Sequence, residues 1–205
     1  KVLFLYPNHK GNYMLPPAIG ILSACLKRAG HKVDLFDTTQ YASFDLDYRP
    51  TLDVDKSKAD RLMAKPFKET EKIKSIDTDI FEDWVTKINN YKPDLIALSA
   101  TEDLWLPGIS LLKRIRHKGI LTLAGGVFPT FAPDLALTYP EIDIICKGEG
   151  EIALVDLCNR MADGISYDDV PNLWIKKNEG EIIKNPLTQV DMNDNPLIDV
   201  SIFEE

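Results

Sequence analysis

Two glycine clusters carry the strongest hint of chemistry in this chain. The apolar run Ile120–Ala124 stops at Gly125-Gly126, and the run Ile142–Cys146 stops at Gly148-Glu149-Gly150. An apolar run of this length closed by turn residues reads as a fully buried strand. Glycine directly after a strand lets the backbone turn sharply and lets something bulky approach the strand's end. Two neighbouring strands that end this way describe the lip of a parallel sheet, where open α/β sheets bind their ligands.

Other reactive side chains are weighed against plainer readings. His9 lies in Pro7-Asn8-His9-Lys10-Gly11-Asn12, the loop after the first apolar run. An imidazole there could hold a metal, but a ligating histidine needs an acid on its other nitrogen, and none is obvious nearby in sequence. Glu149 and Glu151 could be catalytic carboxylates. The plainer reading puts them in the first turn of a helix, where negative charge meets the dipole. His31 and His117 follow helix ends and read as structural. Cys25, Cys146 and Cys158 are far apart, with no C-x-x-C and no zinc spacing. They read as reduced core thiols, which fits a cytoplasmic protein.

Several familiar sites are excluded. No Gly-Lys-Ser/Thr and no G-x-G-x-x-G follows the first strand, so neither an ATP phosphate loop nor a dinucleotide fingerprint is present. A receiver domain would need paired acids after strand one and a phosphorylatable aspartate after strand three. Tyr6-Pro7 and Ser99-Ala100 stand there instead.

The elements that must position the lip follow from periodicity. The chain has 205 residues, is 44% apolar and 27% charged, and carries a net charge of −8. That is enough for one good core and argues against nucleic acid or an anionic membrane surface as partner. No apolar run approaches the ~18 residues that would span a bilayer. Strands are expected at Val2–Tyr6, Lys32–Phe36, Asp94–Ala100, Ile120–Ala124 and Ile142–Cys146. Helices are expected at Ala18–Ala29, Asp79–Tyr91, Trp105–His117, near Pro133–Leu137, and from Glu149 to about Ala162. Strands alternating with helices predict a doubly wound parallel sheet of five strands, flavodoxin-like or Rossmann-like, in the order 2-1-3-4-5. The polar stretch 40–76 reads as an insertion over the lip with a short helix around Lys56–Ala64. Asn178-Glu179-Gly180 marks a β-hairpin. The division expected is therefore a main domain at 1–165, a hairpin extension at 166–190, and a linker at 191–205 to a further domain.

Taken in order, several phrases resemble the cobalamin-binding domain that precedes the core of cobalamin-dependent radical S-adenosylmethionine (radical SAM) proteins. They are Pro16-Pro17-Ala18-Ile19-Gly20, Ala29-Gly30-His31-Lys32-Val33, Pro93 through Ser99, Ala124-Gly125-Gly126 with Pro129-Thr130, and Lys147-Gly148-Glu149-Gly150-Glu151. The resemblance implies a corrin ring on the strand ends and a nucleotide tail threaded beside the sheet. It implies that Ser99, Thr101, Gly125, Gly126 and Val127 line the tail's path, with Gly148, Glu149, Gly150 and Glu151 close to it. Related domains carry Asp-x-His-x-x-Gly after strand one, with the histidine on cobalt from below. Here Pro7 replaces the aspartate and Gly11 comes one residue early, so His9 is the candidate cobalt ligand in a departing loop. Trp105, Phe128 and Phe131 could cover a corrin face, though aromatics near strand ends are usually core. The parent protein would also use S-adenosylmethionine and a 4Fe-4S cluster, as a methyltransferase or a radical cyclase or rearrangement enzyme. This segment alone would bind without catalysing. The competing reading is a cofactor-free Rossmann-like interaction or substrate-gating domain.

Overall fold

The computed structural model describes residues 1–9, 15–41, 76–177 and 180–204. The strands are β1 (Val2–Tyr6), β2 (Val33–Asp37), β3 (Leu95–Ser99), β4 (Leu121–Gly125), β5 (Ile144–Cys146), β6 (Leu173–Lys176) and β7 (Ile182–Lys184). They form one sheet in the order β2-β1-β3-β4-β5-β6-β7. The first five are parallel in the expected order. The hairpin does not stand apart, because β6 pairs antiparallel with β5 and β7 with β6, extending the same sheet to seven strands.

The helices are α1 (Pro17–Arg28), α2 (Ile80–Tyr91), α3 (Glu102–Ile115), α4 (Val127–Phe131), α5 (Pro133–Ala136) and α6 (Ala153–Asp163). Helix α1 begins on Pro17, where the missing N–H is no loss, and ends with Lys27 and Arg28 facing the dipole's negative end. Asp79 caps α2 by accepting from the Phe81 and Glu82 amides.

Three expectations are corrected. Helix α3 starts at Glu102 rather than Trp105. Glu102 and Asp103 fill its first turn and favour the dipole, leaving Pro107 inside the helix. Helix α4 has no counterpart among the expected helices; five residues are too few to show a period. Helix α6 starts at Ala153, so Glu149 and Glu151 precede it and sit in a turn in which Gly148 has φ of +80°.

The sheet has two unlike faces. One carries Leu3, Leu5, Ile96, Leu98, Ala124 and Ile145 and is sealed by α2 and α3, whose Trp84 and Trp105 are fully buried. The other carries Val2, Phe4, Leu95, Ala97, Leu123 and Ile144 and packs on α1 and α6. On this second face the side chains shrink toward the carboxyl ends: Leu95, Ala97, Ser99 along β3; Leu121, Leu123, Gly125 along β4; Ile144, Cys146 along β5. Alternation sends all of these to one side. The space under α1 and α6 therefore widens toward the lip.

The stretch read as a linker folds back as a strap. The Asp199 carboxylate accepts from Ser23 Oγ and Lys27 Nζ, each at 2.6 Å, and its amide donates to the Gly20 carbonyl. Gly20 permits this docking, since a Cβ there would lie 2.5 Å from Ile198 Cγ1. Ile202 and Phe203 then reach the core on the second face. At the base of the 40–76 insertion, Ile76 N donates to Gln40 O at 2.9 Å, beside a parallel bridge between Tyr41 and Ile76. The helix expected around Lys56–Ala64 lies outside the described residues.

Candidate cofactor-binding cleft

The widening ends in a cleft of about 250 Å³ at the lip. Its floor is Phe4, Ala97, Leu123 and Cys146, and its outer wall is Ala18 and Leu22 of α1 with Leu154 of α6. Ser99, Gly125, Gly126, Gly148, Glu149 and Gly150 form its rim, so six of the nine sequence-derived site residues meet in one place. A larger hollow of about 440 Å³ lies at the edge strand β2, over Leu35, Asp37 and Phe203. It shares none of the residues of the glycine lip.

The glycines are not alike. Gly126 has φ of +100°, and a Cβ on it would meet the Ala100 carbonyl oxygen at 2.8 Å. A tight turn explains that glycine completely. Gly125 is different. Its φ is ordinary, and a Cβ would meet nothing closer than Cys146 Cβ at 3.9 Å. The protein's own packing therefore does not demand glycine there, and any larger side chain would project into the cleft. A Cβ on Gly150 would press on Leu22 Cδ2 at 3.3 Å and Cys146 Sγ at 3.5 Å, on the same opening. Together Gly125 and Gly150 leave a cradle that side chains would fill, which suits a flat group sliding between sheet and helices.

Polar groups in the cleft are few. Glu149 is already committed, because its carboxylate accepts from Val190 N at 2.6 Å and its carbonyl accepts from Asn172 Nδ2 at 2.8 Å. This ties the start of the C-terminal strap to the rim. The Cys146 thiol is pushed up to about 12, first by burial and then by the charge of Glu151. It is an inert wall rather than a nucleophile.

Three candidates stand outside the cleft. Thr101 precedes α3, is exposed, and donates from Oγ1 to Asp103 Oδ1 at 2.5 Å. Val127 opens α4 and is also exposed. His9 lies beyond the end of β1, with Nε2 3.8 Å from Asp103 Oδ2. Asp103, in the first turn of α3, thus faces the same nitrogen that a metal would take, rather than the ring's other nitrogen. Asn8 and His9 are held by a network of hydrogen bonds: Asn8 N donates to Thr38 Oγ1, Asn8 Nδ2 to Thr39 Oγ1, and His9 N to Asn8 Oδ1. Of the aromatics, Trp105 is core, tilted by 38° against Phe128 with ring centroids 4.7 Å apart, whereas Phe131 is exposed at the lip. Among the described residues, no group of three or more His, Cys, Asp or Glu could hold a metal ion, and no helix is long and apolar enough to cross a membrane.

A doubly wound sheet with a small-residue cleft at its carboxyl lip is the geometry of a cofactor-binding α/β domain. Residues 67–158 match the family model of the B12 binding domain. The fold is shared with the cobalamin-dependent S-adenosylmethionine radical enzyme OxsB, solved with aqua-cobalamin and S-adenosylmethionine bound. That match has a TM-score of 0.67 at 20% identity and covers 98% of this chain and 24% of OxsB. The radical S-adenosylmethionine methyltransferase TsrM from Kitasatospora setae, solved with cobalamin and a [4Fe-4S] cluster, matches with a TM-score of 0.62 at 18% identity. It covers 95% of this chain and 30% of TsrM.

Two curated relatives are methyltransferases. An uncharacterised one from Pyrococcus horikoshii is 26% identical over 109 residues, 52% of this chain and 24% of that protein. The 2-(S-pantetheinyl)-carbapenam-3-carboxylate methyltransferase of Streptantibioticus cattleyicolor is 33% identical over 90 residues, 41% of this chain and 13% of that protein. The chain thus spans no more than a quarter of the curated relatives it matches. The resemblance read from the sequence is borne out: a B12-binding-domain match lies within the fold of cobalamin-dependent radical SAM enzymes. The cofactor-free alternative gains no support from these matches.

Proposed function

We propose that this chain is the cobalamin-binding module of a larger radical SAM protein, with the corrin on the strand lip and the nucleotide tail in the cleft. The observation that carries this reading is Gly125. The protein has no steric or conformational need for glycine there, and the space it leaves opens directly into the cleft. Bound there, a corrinoid would supply a cobalt centre able to accept and pass on a methyl group or to steer radical chemistry.

The chain's own residues bind and orient. Ser99 offers a hydroxyl at the rim, Gly125 and Gly150 leave room for the tail, Gly126 and Gly148 make the turns of the lip, and Glu149 fixes the rim's shape. Thr101 and Val127, outside the cleft, would meet the path from tail to ring. Exposed Leu106, Val127 and Phe131, on segments that leave strand ends, give the lip an apolar surface suited to a corrin face. For His9 the proposal is narrower: it is the lower cobalt ligand only if its Nε2 exchanges Asp103 for the metal.

The dispersed, buried cysteines Cys25, Cys146 and Cys158 leave a 4Fe-4S cluster and S-adenosylmethionine to other parts of the parent. Methyl transfer is the parent chemistry that the relatives favour, and the cytoplasm is the compartment that free thiols favour. Titration with hydroxocobalamin, followed by visible spectra and ultrafiltration, tests the reading. Retention of about one corrinoid per chain is the expected result. Corrinoid that washes through a folded chain would overturn it.

A further inference from the structure

Helix α1 walls the cleft with Ala18 and Leu22, so part of its inner side borders open space. A helix over unfilled space forfeits dispersion contacts there and tends to settle into the gap. Its start carries no side-chain cap that would hold it back. Gly20, Ser23 and Lys27 lie on another stripe, about 130° round the helix at roughly 3.6 residues per turn. All three hold the C-terminal strap. Ile198 fills the notch that Gly20 leaves, and Asp199 is gripped through its side chain by Ser23 and Lys27 and through its amide by the Gly20 carbonyl. Arg28 Nη1 adds a bond to the Asp194 carbonyl at 2.9 Å. The same strap is also fastened at the rim, where Asn172 Oδ1 accepts from Thr188 N at 2.6 Å and Glu149 accepts from Val190 N. One run of chain, 188–199, therefore grips both the rim after β5 and the helix that walls the cleft.

We propose that the strap is a brace that sets the position of α1 over the cleft, with Ile198 and Asp199 as positioning residues for cofactor binding. This rests on the cobalamin reading above. Neither residue lines the cleft, so their influence on the cofactor passes through α1. The fit is specific at each point: Gly20 admits Ile198, since a Cβ there would lie 2.5 Å from Ile198 Cγ1, and the buried Ser23 hydroxyl and the Lys27 ammonium both point at one carboxylate. Charge-assisted bonds of this kind are the strong ones. With the strap docked, α1 stays at the spacing a flat ligand needs. With the strap released, α1 is free to close the gap, and opening it again costs binding energy. Linkage makes the effect reciprocal: the factor by which docking improves cofactor affinity is the factor by which cofactor favours docking. Occupancy of the cleft is thereby reported to the outer side of α1, and whatever displaces the strap loosens the cofactor.

The test reads both directions of this coupling. Hydroxocobalamin is titrated into the wild-type chain, Asp199→Ala, Gly20→Val and the double variant. Each single change is expected to weaken binding about tenfold, within the usual range of coupling between sites. The double variant is expected to lose little more, because both changes release one brace. Exchange protection of the Trp84 indole, on the opposite face, certifies that each variant is folded. In the wild-type chain, which needs no variant to fold, protection of the Asp199 amide is expected to rise about tenfold with hydroxocobalamin and to level off once the cleft is full. Protection that keeps growing with free corrinoid would report global unfolding instead. That result, unchanged affinity in folded variants, fully additive losses, or an Asp199 amide unmoved by bound corrinoid would overturn the brace while leaving the cofactor reading intact. A wild-type chain that takes up no corrinoid would overturn that reading and the brace with it.

Discussion

The two faces of the sheet begin alike and end differently. At the amino ends of the strands both faces bury branched aliphatic side chains. Toward the carboxyl ends, the α2–α3 face stays full, with Trp84 at 0% and Trp105 at 2% exposure closing it. The α1–α6 face thins to Ser99, Gly125 and Cys146 and leaves a cleft. Large side chains on one face stabilise the fold, and small side chains on the other keep a place open. A core normally fills its voids, because unfilled space forfeits dispersion contacts. A gap that small residues maintain at the strand ends of this face therefore points to a ligand.

The largest expected effect is on the filled face. Trp84 is wholly buried and donates from Nε1 to the Leu111 carbonyl at 2.9 Å. Trp84→Ala should cost about 3–5 kcal/mol in denaturant unfolding, while the fraction that remains folded keeps its corrinoid affinity. A variant that lost affinity without losing stability would break the division of labour between the faces.

On the thinned face the pattern should reverse. Gly125→Leu fills the cleft, and cobalamin affinity should fall about 100-fold, or about 2.7 kcal/mol, with the melting temperature little changed. A large loss of stability with binding preserved would mean that the small residues serve packing after all.

The strap joins the thinned face to the rest of the chain and gives a pH-dependent signal. Partial burial alone would raise the Asp199 carboxyl, but hydrogen bonds from Lys27, Ser201 and Ser23 outweigh it and hold the group at about 2. A depressed folded value means that the docking contribution is fully present above the ordinary carboxylate range near 3.9 and is lost as pH falls toward 2. Hydrogen-exchange protection of the Asp199 amide, which donates to Gly20, should therefore be flat above about pH 4.5 and drop below it. Asp199→Asn should abolish that dependence. Protection that fades between pH 5 and 8 would point to a different group.

The smallest effect is expected at His9. If it ligates cobalt, His9→Ala will shift the visible spectrum of bound cobalamin, with affinity changing by no more than a few-fold. An identical spectrum would leave His9 as a lip residue paired with Asp103.

Much of this was legible in the sequence, for identifiable reasons. Buried parallel strands are continuous apolar runs, so β1 was read to the residue and the order of the five parallel strands followed from alternation with helices. Glycines after β4 and β5 marked the lip. Other features depend on three-dimensional neighbours. Nothing in the spacing says that Gly126 is held by the Ala100 carbonyl while Gly125 is free of such a demand. The meeting of His9 with Asp103 joins segments far apart in the chain. Glu149 and Glu151 read alike as helix-start acids, yet one is tied to the strap and the other buries an oxygen, Oε2, that has no partner among the described residues. The taper from Leu95 to Ser99 and from Leu121 to Gly125 was a usable signal, visible once alternate strand positions are compared by size.

The central claim, that the thinned face takes the cofactor and the filled face does not, is tested most directly by an amide and indole NMR footprint of cobalamin on the isotope-labelled chain. The account predicts strong perturbation at Ser99, Gly125, Gly150 and Leu22, with the buried Trp84 indole unmoved. Perturbation centred on the Trp84 side, or at the hollow beside β2, would contradict it.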